Sequence, residues 1–224
     1  MATEPQRPSP VFLVAAPRTG AATLRHMLAH HRDIAFAPMF DFLVDGISPD
    51  GRFMKRDAFL RSLEFNMAYK RLGLTIPPGL PFAAIAQNLI EQVAATKPAP
   101  LIVGATVQRH FDRLLWLWPD ARFIHLVRDG RDVAYAHVLA GKAGNMWHGI
   151  ADWVEAEMLW DRMSHKLPPD RQFTLKYESL VGEPQYELHR ICQFLGVPFD
   201  PAMIASGPPP PARRRRRGRR APDG

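Results

Sequence analysis

Residues 11 to 28 read VFLVAAPRTGAATLRHML. The apolar run Val11 to Ala16 is short and β-branched enough to form a buried parallel strand. It passes through Pro17-Arg18-Thr19-Gly20 into Ala21 to His30, where Leu24, Met27 and Leu28 share one helical stripe and Arg25 and His26 lie off it. Strand, tight turn and helix in this order direct backbone N–H groups and the positive end of a helix dipole at one spot. That arrangement suits a phosphate or sulfate group. The same stretch fits an ordinary strand-to-helix connection equally well, so the choice rests on the rest of the chain.

On the C-terminal side the alternation of strand and helix returns. Ile34 to Phe36 is a possible short strand, followed by an irregular segment marked by Pro38, Gly46, Pro49 and Gly51. Residues 55 to 72 and 81 to 96 have helical apolar spacing, separated by the breaker run Thr75-Ile76-Pro77-Pro78-Gly79, and form a helical insertion of the kind that lines substrate pockets in α/β enzymes. Leu101 to Ala105 reads as a second buried strand, His110 to Trp118 as a helix, and Arg122 to Val127 as a third strand. A helix from Asp132 to Leu139, a long helix from Ile150 to His165 and a strand Gln172 to Lys176 follow. Pro184 to Leu195 is a helix with Pro in its first turn, Gly196 past its end, and a stripe of Leu188, Ile191, Cys192 and Leu195. This pattern predicts an α/β fold, a P-loop-like parallel sheet flanked by helices on both faces, with ligands at the carboxyl ends of the strands.

Composition sets the bounds. A chain of 224 residues holds one α/β domain comfortably, here residues 11 to 204, with a leader at 1 to 10 and a Pro/Arg-rich tail at 205 to 224 expected to be disordered. The formal charge of +7 originates in that tail: RRRRRGRR at 213 to 220 holds seven of the 29 basic residues and Asp223 is one of the 22 acids, so the remainder carries +1. Nucleic acid or an acidic partner is therefore expected only through the tail. The single Cys192 excludes an internal disulfide and a Cys-rich zinc site and reads as a core residue; no metal is expected. His30 and His31 read as solvated residues at the end of a helix. No apolar run approaches the length of a membrane span, and MATEPQRPSP lacks the apolar core of a signal peptide, so the expectation is a cytoplasmic protein without membrane contact.

Three segments, APRTG at 16 to 20, RFIHLVRDGRDVAYAH at 122 to 137, and LKYESLVGEP followed by LHRICQFLGVPFDP between 175 and 201, together resemble the sulfotransferase family. Its members move a sulfuryl group from 3'-phosphoadenosine 5'-phosphosulfate (PAPS) onto a hydroxyl or amine, and the resemblance is to the compact bacterial type. It implies a parallel sheet with flanking helices, PAPS as cosubstrate, and a small-molecule or saccharide acceptor. The first segment then corresponds to the loop for the 5'-phosphosulfate, with Arg18 and the backbone amides of Thr19, Gly20, Ala21 and Ala22 as ligands. The second corresponds to the 3'-phosphate site, with Arg128 as ligand, while Asp129, Arg131 and Asp132 order the turn and cap the following helix. Tyr177 of the third is either a contact of the adenine or a core tyrosine; Glu178 is structural.

Against the same family pattern, several positions are replaced. Ala21 and Ala22 stand where two hydroxyl residues are usual, Ala136 where a serine adds a phosphate ligand, and Met39 where a Pro-Glu stretch supplies a base. Ala105-Thr106-Val107 replaces a stretch that begins Lys-Thr. Asp41 and His110 are the nearest substitutes for the base, each open to a second reading as a loop charge or a helix-start residue. Three functions follow from the sequence: a sulfotransferase, a degenerate member with weak or no catalysis, or a binder of nucleic acid or an acidic partner through the tail. The tail itself fits either a natural basic extension or a frameshifted or truncated end.

Overall fold

The computed structural model describes residues 9–205. The leader and tail fall, apart from residues 9, 10 and 205, outside the described residues. In chain order the elements are β1 Val11–Val14, α1 Ala21–His30, β2 Ile34–Met39, α2 Asp41–Asp45, α3 Arg56–Leu63, α4 Met67–Leu72, α5 Phe82–Ala94 and β3 Ile102–Val107. A 3-10 turn at Phe111–Trp116 leads to β4 Arg122–Val127, α6 Gly130–Leu139 and α7 Met146–Ser164. After a second 3-10 turn at Pro169–Arg171 come β5 Gln172–Lys176, α8 Tyr177–Gly182, α9 Pro184–Leu195 and α10 Ala202–Ala205.

The five strands form one parallel sheet in the order β2-β3-β1-β4-β5. The chain leaves β1 for one edge and later crosses to the other, so the carboxyl end of β1 lies at the point where strand order reverses. Ligands of open parallel sheets bind at such points. All four residues of β1 are fully buried, because both of its faces are covered. Phe12 and Val14 face the core built with α5, the first 3-10 turn and α7, whereas Val11 and Leu13 face α1 and α9.

The structure corrects several sequence expectations. The segment after β2 is not irregular throughout, since α2 forms there and buries Phe42, Leu43 and Val44. The pattern at 55 to 72 divides into α3 and α4, because the Asn66 side chain accepts a hydrogen bond from the Tyr69 amide at 3.0 Å and starts a new helix. The expected helix at His110 is a 3-10 turn beginning at Phe111. His31 is not solvated. It is fully buried, donates from Nε2 to the Pro198 carbonyl at 2.6 Å, and accepts from the Asp33 amide at 3.0 Å on Nδ1. No helix among the described residues is long and apolar enough to cross a membrane.

Candidate active site

The turn between β1 and α1 is built from two residues with positive φ. Gly20 lies at φ 104°, and Arg18, which carries a Cβ, at φ 67°. A non-glycine residue in the left-handed region is uncommon and is held there by its surroundings. Thr19 between them is fully buried, and its hydroxyl donates to the Ala16 carbonyl. Its amide also turns inward to Ala16 O at 3.4 Å, so Thr19 does not contribute an outward amide as the sequence reading expected. The amides of Gly20, Ala21 and Ala22 find no backbone acceptor among the described residues, as the opening of a helix dictates. Arg18 is exposed and its guanidinium has no partner among the described residues.

Glycine at position 20 has a second cause. A Cβ there would come within 2.3 Å of Cε2 of Tyr177, so the ring of Tyr177 packs directly on the turn. The same ring also meets a cation: the Arg128 guanidinium lies 4.7 Å from the Tyr177 ring centroid. Arg128 leaves β4 and reaches back to the turn, with Nη1 3.4 Å from the Arg18 carbonyl and Nη2 3.5 Å from Asp132. Its Nε is buried without a hydrogen-bond partner. The Tyr177 ring is thus a half-buried spacer joining the two sites that the sequence treated separately.

Neighbours of Arg128 hold it in place. Asp129 caps α6 by accepting from the Arg131 amide at 2.9 Å, and the Arg131 guanidinium holds its carboxyl down at about 2. The Asp129 amide donates to Glu178 at 3.0 Å, which ties the loop after β4 to α8 and gives Glu178 a structural role. Trp153 of α7 donates to the Arg128 carbonyl at 3.0 Å. His137, which follows Ala136, is buried and donates to the Pro17 carbonyl at 3.3 Å; nothing in its sequence context marked it.

On the β2–β3 side a cavity of about 340 Å³ opens beside Pro17, lined by Asp41, Arg109, His110, Asp152 and Glu155. It brings Asp41 and His110 together. Asp41 is not a loop charge: it is 4% exposed, Oδ1 accepts from the Gln108 amide at 2.7 Å and Oδ2 from Arg109 Nη1 at 3.0 Å. Burial raises its pKa, against the lowering pull of that amide and of Arg109. Arg109 also grips Asp45, at 3.0 and 2.7 Å. His110 precedes the 3-10 turn in the left-handed region at φ 47° and makes no hydrogen bond through its ring among the described residues. Asp41 is tied to the exit of β3, whereas the side chains of His110, Asp152 and Glu155, which line the same cavity, make no hydrogen bond or ion pair among the described residues. Arg109, Asp152 and Glu155 were missed because their convergence is tertiary; no motif spacing links positions 109 and 155.

A sequence model of the sulfotransferase family matches residues 10–201. The chain belongs to the sulfotransferase family. Among curated proteins it is 24% identical over 205 residues to a protein-tyrosine sulfotransferase of Drosophila melanogaster, covering 87% of this chain and 39% of that one. It is 31% identical over 97 residues to an omega-hydroxy-beta-dihydromenaquinone-9 sulfotransferase of Mycobacterium tuberculosis, covering 38% of this chain and 25% of the other. The chain therefore spans two fifths or less of the length of these relatives. Among solved structures, the sulfotransferase domain from the curacin biosynthetic pathway has the same fold, with a TM-score of 0.64 at 23% identity, covering 89% of this chain and 77% of that domain. The sulfotransferase fold explains why the first and second segments converge: β1 and β4 are neighbours in the sheet, so the loops at their carboxyl ends face one another.

Proposed function

We propose that this protein transfers a sulfuryl group from PAPS to a hydroxyl or amine of an acceptor. The observation that carries this reading is the pairing of an unpartnered Arg18 and the free amides of Gly20 to Ala22 with the incompletely satisfied Arg128. Those donors fit a ligand with phosphate groups at two ends. PAPS supplies the activated sulfuryl group. Arg18 and the amides hold the 5'-phosphosulfate and stabilise charge on the departing phosphate, Arg128 holds the 3'-phosphate, and Tyr177 contacts the nucleoside between them.

In this reading His110 accepts the acceptor's proton as the new S–O or S–N bond forms and the bond to the phosphate breaks. Both carboxylate oxygens of Asp41 are engaged, so Asp41 positions the β3 exit and the adjoining His110 instead of taking the proton. Alanines at 21, 22 and 136 remove side-chain ligands, which favours weaker nucleotide binding than a full set would give. A chain that binds nucleotide with little turnover is the second reading, favoured by Met39 in place of a carboxylate.

Calorimetric titration of 3'-phosphoadenosine 5'-phosphate into the full chain tests the proposal. Saturable binding near one equivalent is expected, and no binding overturns it. With binding established, transfer of ³⁵S from labelled PAPS to 2-naphthol or 2-naphthylamine supports catalysis, whereas binding without turnover supports the second reading.

A further inference from the structure

Beside α1 lies a second cavity, of about 240 Å³, whose chemistry differs from that of its neighbour. Ala22 and Arg25 of α1, Met39 of β2, Arg71 of α4, Thr106 of β3 and Gln108 all line it, and no Asp or Glu does. Three features in it are unsatisfied. Thr106 is 4% exposed, and its Oγ1 is buried with no hydrogen-bond partner. Along β3 the side chains of Val103, Ala105 and Val107 enter the α5 and α7 core, so Thr106 stands on the opposite face, toward α1. An orphaned buried hydroxyl costs about 1–3 kcal/mol, a cost relieved when a ligand in the cavity bonds to it.

The other two features are cationic. Arg25 is half-buried off the apolar stripe of α1, and no acceptor among the described residues bonds its guanidinium. Burial without an acidic partner lowers its pKa. Arg71, in the last turn of α4, is exposed and also has no partner among the described residues. Two unpaired guanidinium groups and a buried hydroxyl thus surround a small cavity in a body whose charge is otherwise nearly balanced.

We infer that this cavity binds an anionic group, a carboxylate or a phosphate, carried by the acceptor. Arg25 and Arg71 supply charge-assisted donors and Thr106 a hydroxyl donor. The inference rests on the proposed donor site, because only then is this the acceptor side. Tyr177 and Arg128 occupy the β4–β5 side of the turn, whereas this cavity opens over β2 and β3 and shares Met39 and Gln108 with the cavity that holds His110. The anion would anchor one end of the acceptor while its hydroxyl or amine meets His110. The acids Asp152 and Glu155 belong to the neighbouring cavity, which separates the anion-binding end from the reacting end.

The test uses the full chain with 3'-phosphoadenosine 5'-phosphate present in excess, titrated with benzoate, phenyl phosphate and, as the neutral control, benzyl alcohol. At least one anion should bind alongside the nucleotide and more tightly than benzyl alcohol, and the preferred anion identifies the group. Arg25→Gln should weaken it about tenfold, the worth of one charge-assisted hydrogen bond, and Thr106→Val by a smaller factor. Arg71→Gln, on the exposed side of a short helix, gives a second charge-deleted variant should Arg25→Gln fail to fold. Anion binding that is absent, that is unchanged in both arginine variants, or that is displaced competitively by the nucleotide overturns the inference. If the nucleotide itself does not bind, the titrations are run without it: anion binding that is then lost in Arg25→Gln overturns the donor-site reading and retains the anion site.

Discussion

The guanidinium of Arg128 lies over the ring of Tyr177, 4.7 Å from its centroid, and the same ring covers Gly20 so closely that no Cβ fits between them. One aromatic side chain therefore packs against both the loop after β1 and the cation after β4, which also meet directly where Arg128 donates to the Arg18 carbonyl. Tyr177→Leu keeps apolar bulk but removes the cation–π contact, worth about 0.5–2 kcal/mol. Affinity for 3'-phosphoadenosine 5'-phosphate should fall severalfold in calorimetry, and the urea unfolding midpoint should fall by the amount that the lost contact contributed to the fold.

Gly20→Ala introduces both a side chain at φ 104° and a collision with the Tyr177 ring. A strained backbone position of this kind costs about 1–3 kcal/mol. Urea denaturation should show the loss, and nucleotide affinity should fall with it, because relief of the collision displaces the ring from beneath Arg128.

Replacing Ala22 tests whether the turn has lost ligands that its backbone still supports. Ala22 is exposed at the opening of α1, so Ala22→Thr adds a hydroxyl beside the free amides without entering the core. One hydrogen bond to a charged group is worth about 1.5–3 kcal/mol, so nucleotide binding should tighten about tenfold. Unchanged affinity would place the phosphate elsewhere.

His110→Gln should lower ³⁵S transfer by about 10²–10⁴-fold, the range for removing a general base, while nucleotide affinity stays within twofold. Asp41→Asn acts differently. It replaces a carboxylate that accepts from both Gln108 and Arg109 with an amide that cannot serve both, leaving a buried donor unpaired. Stability should drop by about 1–3 kcal/mol in denaturant unfolding.

Cys192 provides a pH prediction. Burial against Met203 pushes its thiol up to about 11. The folded state therefore retains the proton between pH 9 and pH 11 while the unfolded chain releases it, so unfolding becomes more favourable as pH rises through that window. Iodoacetamide should label the native protein slowly at pH 8 and the urea-unfolded chain fast. Rapid native labelling would show that the α9–α10 contact opens readily.

Much of the fold was legible because its signals are local. The apolar run of β1 and the stripes of α1 and α9 need only periodicity, and α1 and α9 occupy the residues expected of them. Segment order singled out Arg18 and Arg128 as candidates, and the parallel pairing of β1 with β4 brings their loops together. His31 was misread because its partner, the Pro198 carbonyl, is 167 residues away. In sequence Asp41 is open between a base and a loop charge or helix-start residue; it opens α2, and the groups that engage it, Gln108 and Arg109, leave a strand that becomes its neighbour only after the sheet has formed. Arg25 was seen to lie off its helical stripe, but its cavity requires β2, β3 and α4 to converge, which no single segment encodes.

In the proposed function, the loop at Arg18 and the side chain of Arg128 hold the two ends of one nucleotide. The most direct measurement compares the affinities of 3'-phosphoadenosine 5'-phosphate, adenosine 5'-monophosphate and adenosine 3'-monophosphate for the wild type, Arg18→Ala and Arg128→Ala. Arg128→Ala should abolish the affinity gained from the 3'-phosphate and preserve that from the 5'-phosphate, with Arg18→Ala doing the reverse, each loss being about tenfold or more. Equal affinity of all three nucleotides for the wild type, or equal losses for every ligand in both variants, would contradict it.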